Sequence, residues 1–258
     1  SMAVFPLCPD CRKEYGDPGD RRFHAEPNAC SRCGPRLQLL DESGAPLADR
    51  DPLAGAAGLL RKGLILAIKG LGGFHLAVDG ADEEAVRRLR SRKHREEKPL
   101  ALMVRDLDAA GRIAHLTGED RELLLSPARP IVLARKKKNA GLAAGISPGV
   151  PTYGIMLPYT PLHHLLLGEP FRALVMTSAN ETDEPICIRN GEALKRLGGI
   201  ADAYLVHDRE ILVRCDDSVA AAFPRGPVFL RRSRGHAPAP LTLDRSYPPV
   251  LALRSEEH

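Results

Sequence analysis

The stretch "RSRKHREEKPLALMV" (Arg90–Val104) decides how this chain is read. Its first ten residues hold five cationic side chains (Arg90, Arg92, Lys93, Arg95 and Lys98) together with His94 and then Pro99. The segment leading into it, "DEEAVRRLRSRK" (82–93), opens with acids and closes with bases. That polarity suits the helix dipole, so a helix is expected there. "PLALMV" (99–104) reads as a strand. A cationic helix end that meets a proline and then a strand is either a solvated terminus or the wall of an anion-binding site.

Working outward, apolar runs of strand length alternate with helical patterns. Toward the N-terminus lie a helix, "DPLAGAAGLLRKG" (51–63), and two strands, "LILAIKG" (64–70) and "FHLAVD" (74–79). Toward the C-terminus come two helices, "LDAAGRIAHL" (107–116) and "EDRELLL" (119–125), with Thr117 as a cap for the second. Next are a strand, "PIVLAR" (130–135), and a basic loop of small residues, "KKKNAGLAAGISPGVPTY" (136–153). "GIMLPYTPLHHLLL" (154–167) gives a strand, a Pro-bounded turn and a helix, and "FRALVMTSAN" (171–180) a strand ending in small polar residues. "GEALKRL" is helical, and "AYLVHD", "DSVAAAF" and "PVFLRR" are the last strands. Interleaving of this kind without a repeat predicts an α/β fold with a twisted mixed sheet flanked by helices.

Composition sets the bounds. With 258 residues, 43% hydrophobic, 4% aromatic and no tryptophan, the core must be aliphatic. Acids (33) nearly balance bases (37), so the charge of +4 does not argue for a nucleic-acid partner. No run of about 18 apolar residues suits a membrane span, and no secretory leader is recognised. The opening Ser-Met reads as a cloning remnant, and the chain as a piece of something larger.

Four of the six cysteines form two CxxC pairs, "CPDC" (Cys8, Cys11) and "CSRC" (Cys30, Cys33), separated by 18 residues. Each pair can make a knuckle with two thiolates on one side, and two knuckles close a tetrahedral four-sulfur site, the usual geometry of structural zinc. His24 in "RRFHAEP" is a lesser candidate ligand. Metal binding would largely fold this segment, which has little core of its own. Cysteine use of this kind favours a cytoplasmic setting over disulfides. Cys187 and Cys215 stand in apolar surroundings and read as small buried hydrophobes.

The common nucleotide and hydrolase signatures are missing. "GLGGFH" (70–75) is glycine-rich, but no Lys-Ser/Thr follows and the dinucleotide spacing fails. What remains is a combination: Lys93 and Arg95 at a helix end, Thr177–Asn180 ("TSAN") closing one strand, and Arg231 in "FLRRSRG" closing another. Positions just past strand ends are where α/β sheets bind ligands. A phosphate is well met by fixed cations with hydroxyl and amide donors at several angles.

That combination resembles the YrdC-type nucleotide-binding domain. The zinc knuckles followed by "RRFHAEP", "KGLGGFHLAVD", "RKHREEKPLALMV" and "TSANETDEPICIRN" are similar to the hydrogenase-maturation carbamoyltransferase family HypF along nearly the whole chain. The resemblance implies a finger unit over 1–42, a YrdC-like domain over 43–240, and a linker over 241–258 leading to a further domain. It implies ATP and Mg2+ as cofactors beside structural zinc, and formation of carbamoyl-adenylate from ATP and carbamate derived from carbamoyl phosphate. The carbamoyl group would go on to the partner HypE through that further domain, for the cyanide ligands of NiFe-hydrogenase. The family's KxR falls on Lys93 and Arg95, and its SxN on Ser178 and Asn180. Lys93, Arg95 and Arg231 would be catalytic. Thr177, Ser178 and Asn180 would help them hold nucleotide, and Lys69 and His75 would line the carbamate pocket. His75 stands where tRNA-modifying relatives have tyrosine, which implies a smaller acyl substrate. Two other readings are a threonylcarbamoyl-AMP synthase and a zinc/RNA-binding module without catalysis. The basic clusters lack interleaved aromatics, which disfavours nucleic acid.

Overall fold

A computed structural model describes residues 2–47, 51–95, 97–181 and 184–242, with 245, 246 and 248. The rest of the linker expected over 241–258 lies outside the described residues.

The first helix, α1 (Pro9–Gly16), carries Cys11 and is followed by turns until β1 (Leu37–Asp41). Then come α2 (Pro52–Arg61), β2 (Leu66–Lys69), β3 (Phe74–Asp79), α3 (Glu83–Arg92), β4 (Ala101–Met103) and α4 (Leu107–Ile113). Next are β5 (Ala114–His115), α5 (Gly118–Leu125), β6 (Ile131–Lys136), β7 (Thr152–Met156), α6 (Pro161–Leu166) and β8 (Leu174–Ser178). The series ends with α7 (Asn190–Leu197), β9 (Ala203–His207), β10 (Val219–Ala221) and β11 (Val228–Arg231). Helix starts follow local chemistry. Asp51, Asp82, Asp106, Thr117 and Thr160 each accept a backbone N–H at a helix N-terminus, satisfying donors the helix itself cannot. The cap expected at Thr117 is part of a reciprocal capping box with Asp120.

Among the described residues the strands form one mixed sheet of eleven, in the order β1-β9-β2-β3-β8-β4-β7-β6-β10-β11, with β5 on β6. The β2–β9, β4–β7 and β6–β10 pairs are parallel and the others antiparallel. Successive strand residues face opposite sides, and two aliphatic cores result. Phe74, Leu76, Val78, Val175, Tyr204 and Val206 join α3, α4, α5 and α7 on one face. Leu66, Ile68, Ala77, Met176 and Leu205 join α2 and α6 on the other.

Two sequence readings are adjusted here. "LQLLD" (37–41), which the resemblance puts inside the finger unit over 1–42, is an edge strand, pairing Leu37–Asp41 with Ala203–His207. Its Leu39 and Leu40 are buried, one in each core, which explains why this short run leaves the finger for the sheet. The loop expected over 136–153 is shorter: β6 runs to Lys136, Ala144–Ile146 form a 3-10 turn, and β7 starts at Thr152. No described helix is long and apolar enough to cross a membrane.

Candidate functional site

The finger is built around sulfur. The Sγ atoms of Cys8, Cys11, Cys30 and Cys33 all lie within 4.8 Å of one another, the one metal-ligating cluster of its kind among the described residues. Neighbouring pairs stand 3.7 Å (Cys8–Cys30), 3.8 Å (Cys30–Cys33) and 3.7 Å (Cys11–Cys33) apart. Disulfide sulfurs would be about 2.05 Å apart. Zinc–sulfur bonds of about 2.3 Å in a tetrahedron place sulfurs about 3.8 Å apart. The donor set and spacing therefore fit a closed structural zinc site. The second knuckle turns on Gly34, whose N–H donates to the Cys30 carbonyl at 2.7 Å; a β-carbon there would stand 2.9 Å from that oxygen. The Cys11 backbone N–H pulls the Cys8 thiol down to about 6. His24 is not in the cluster; its ring stacks on Tyr15 and Phe23.

The second site is a cavity of about 420 Å³ on the α2/α6 face of the sheet. Its floor uses alternate strand positions, Ile131 and Leu133 from β6, Thr152 and Gly154 from β7, Met176 and Ser178 from β8, and His75 from β3, and Thr177 also lines the cavity. A β-carbon on Gly154 would stand 2.9 Å from Ile131 Cγ2, so this glycine leaves floor space that a side chain would fill. The "GLGG" turn packs closely instead of cradling a phosphate: Gly72 lies against Cys215, whose N–H donates to the Gly72 carbonyl at 3.0 Å, and a β-carbon on Gly72 would collide with the Cys215 carbonyl.

Cations gather at one wall. Arg95, Lys98 and Arg231 line the cavity. Arg95 is braced by Thr177 Oγ1 (3.0 Å) and the Pro99 carbonyl (2.7 Å). Burial, with repulsion from Arg90 and Arg231, pulls its guanidinium down to about 10. Among the described residues no carboxylate pairs with Arg95, Lys98 or Arg231. The wall is therefore short of negative charge, and an anion would relieve that repulsion.

Lys93 stands behind this wall. It is 6% exposed, and its Nζ donates to the Ser178 carbonyl (2.7 Å), the Asn180 carbonyl (2.8 Å) and Asn180 Oδ1 (2.9 Å). The Ser178 hydroxyl donates to the same Oδ1 at 2.9 Å. Burial, with Arg95 and Lys98 nearby, lowers the Lys93 ammonium to about 8. In this structure the Lys93 ammonium lies on protein oxygens and holds the turn that presents Ser178, and Lys93 is not among the residues lining the cavity. The same contacts show that Lys93, at the C-terminus of α3, is no solvated helix end but is buried on the Thr177–Asn180 turn. Lys69 is also turned aside, donating to the His207 carbonyl at 2.9 Å and not lining the cavity. Burial lowers its ammonium.

The polar end of the cavity holds a network that the sequence reading took up only at His75. His75 Nε2 lies 3.1 Å from Asp217 Oδ2 and 3.4 Å from the Tyr159 hydroxyl. Arg234 Nε donates to Asp217 Oδ1 at 2.9 Å, while its other nitrogens donate to the Ala128 and Arg129 carbonyls. Its guanidinium carbon stacks 3.5 Å from the centre of the Tyr159 ring. Burial opposes ionisation of Asp217, yet His75 and Arg234 hold it below the ordinary carboxylate range. His163 packs edge-on to His75 and Tyr159. Burial pulls it down to about 3, so it is neutral at ordinary pH. The signal for these residues was present in "DDSVA", "LPYTPLHH" and "RRSRG" as polar residues inside apolar runs. Only contacts distinguish the buried Arg234 from its exposed neighbour Arg231.

Residues 58–233 match the Sua5/YciO/YrdC family model, described as telomere recombination, and residues 7–40 match the HypF finger. Carbamoyltransferase HypF of Rhodobacter capsulatus is 50% identical over 243 residues, covering 94% of this chain and 32% of that protein. HypF2 of Cupriavidus necator is 52% identical over 96% of this chain and 39% of its own length. A crystal structure of full-length HypF in a phosphate- and nucleotide-bound form superposes with a TM-score of 0.87 at 48% identity, over 94% of this chain and 32% of that one. The chain thus spans about a third of the length of these relatives. With its α/β sheet, its cation-walled cavity and a finger preceding both, the chain belongs to the Sua5/YciO/YrdC family, in the finger-plus-YrdC arrangement found within HypF.

Proposed function

We propose that the cavity binds ATP with Mg2+ and joins carbamate to AMP, as one step of a HypF-type carbamoyltransferase serving hydrogenase maturation. The carbamate oxygen attacks the α-phosphorus, the bond to the bridging oxygen breaks, and carbamoyl-adenylate and pyrophosphate form. The observation that carries this reading is the cation wall of Arg95, Lys98 and Arg231, which no carboxylate among the described residues pairs, lining the same largely apolar cavity as Ser178. Charge builds on phosphoryl oxygens in such a transfer, and fixed cations stabilise it. Arg95 and Arg231 hold phosphates, and the Ser178 hydroxyl beside them donates to a phosphate oxygen by turning its proton from Asn180 Oδ1. Lys93, through Asn180 and the Ser178 carbonyl, keeps that hydroxyl in place. Mg2+, when bound with the nucleotide, adds further charge neutralisation. The apolar residues Leu100, Ile131, Leu133 and Leu230 suit the base, and the polar end at His75 suits the acid.

Zinc in the four-sulfur site is structural on this reading, since no coordination position is left for substrate. Reduced cysteines fit a cytoplasmic setting. Carbamoyl phosphate would be the source of carbamate and HypE the acceptor, both through portions of a longer protein. The test is AMP production from ATP with carbamate supplied directly. Carbamate-dependent AMP and pyrophosphate in equal amounts are expected. AMP formation that requires threonine and bicarbonate instead would assign the cavity to the threonylcarbamoyl reading.

A further inference from the structure

From the buried network we infer that Asp217 is a positioning residue: its carboxylate, fixed by Arg234, holds the Nε2–H of His75 and so locks the imidazole as a rigid wall beside Ser178. This rests on the reading of the cavity as a site for a small acid and a nucleotide, and it adds a residue that this reading does not contain.

The geometry leaves little alternative for the proton. An ionised carboxylate can only accept hydrogen bonds, and the Arg234 guanidinium, 2.9 Å from the other oxygen of Asp217, favours that ionised form. The nitrogen facing it at 3.1 Å must therefore donate, which places a proton on His75 Nε2. Nδ1 is buried without a partner among the described residues, as expected of the unprotonated nitrogen. The carboxylate in turn cannot swing. Arg234 reaches Oδ1 with Nε, and its Nη2 lies 2.9 Å from the same oxygen; Nη1 and Nη2 also donate to the Ala128 and Arg129 carbonyls, and its flat face lies on Tyr159. Only 8% of Arg234 and 4% of His75 are exposed, so little of either side chain is open to water outside the cavity.

The ring is pinned on its remaining sides. His75 and Ser178 are direct cross-strand partners on β3 and β8, so their side chains share one face. His163 packs edge-on to His75, with ring centres 6.0 Å apart, and edge-on to Tyr159 at 4.5 Å. A ring fixed in this way cannot rotate to admit a larger acid, and it stands next to the hydroxyl assigned to the phosphate. Asp217 thus acts on the substrate through His75. Its loss should weaken capture of the acid much more than capture of the nucleotide.

The test uses the full chain with 15N-labelled imidazoles, long-range proton–nitrogen correlation spectra at pH 8, and His75→Gln to assign the signal. The wild-type ring is expected to show a protonated Nε2 and a bare Nδ1. Asp217→Asn is expected to mix the two tautomers and raise the KM for carbamate at least tenfold, with the KM for ATP within twofold. A wild-type proton on Nδ1 alone, a doubly protonated ring, or an Asp217→Asn spectrum unchanged at His75 would each overturn the inference. If Asp217→Asn does not fold, the wild-type spectrum decides by itself. The spectra need no substrate: the expected tautomers in a protein that makes no carbamate-dependent AMP would sink the functional reading and leave the positioning role standing.

Discussion

The finger and the sheet are held together by different physics. In the finger, Cys11 is the only buried hydrophobic residue before β1 among the described residues, and the side chains around it are mostly exposed. Four sulfurs do there what a core does elsewhere. The sheet has two aliphatic cores, with Phe74, Leu76 and Val78 against one helix layer and Leu66, Ile68 and Met176 against the other. The contrast teaches that sequence proximity does not mark the border between them. β1 follows the last cysteine by a few residues yet pairs with β9, over 160 positions away.

The largest expected effect breaks the finger alone. Stripping the metal with a chelator, or Cys11→Ser, should abolish the ordered structure of 8–34, because binding free energy is folding free energy in such modules. The amides of Leu37–Asp41 should stay protected, since their partners lie in β9. Hydrogen exchange checks both, and a single transition that melts finger and sheet together would refute the division. The mirror experiment is Phe74→Ala. That side chain is fully buried in the first core, and its truncation should cost about 3–5 kcal/mol. Metal stoichiometry should stay unchanged, as read by denaturant melts and a zinc-release dye.

The smallest effect is expected at His163. Both its ring nitrogens are buried without partners among the described residues, so His163→Phe loses no hydrogen bond there. Stability at pH 7.5 should move by no more than about 1.5 kcal/mol, the usual limit for shape-conserving core exchanges. The acid limb should differ more. The folded ring titrates at about 3, below the ordinary 6.5, so the unfolded chain binds the proton first. Wild-type stability should thus fall as pH drops from 6.5 toward 3, and the variant should lose less across that window. Identical acid limbs would show that the ring is not buried as described.

Much of this architecture could be read from pattern. The alternation of apolar runs with capped helices gave the α/β class. The acids and bases of 82–93 marked α3, and the CxxC spacing gave the sulfur site. What stayed hidden depends on contacts between distant positions. Nothing local in "LQLLD" announces a partner at Ala203–His207. Lys93 stood out in the sequence as a candidate, but not that its ammonium turns inward onto Ser178 and Asn180. Asp217 and Arg234 were visible only as members of charged motifs, because burial converts an ordinary surface pair into a fixed one and burial is set by the whole fold.

The cation wall can be tested by calorimetric titration of a non-hydrolysable ATP analogue into the wild-type chain and Arg95→Ala, each checked for a native spectrum. Charge-assisted hydrogen bonds contribute about 1.5–3 kcal/mol each, so the variant should bind at least tenfold more weakly. Equal affinity in the two folded proteins would mean that the anion site lies elsewhere.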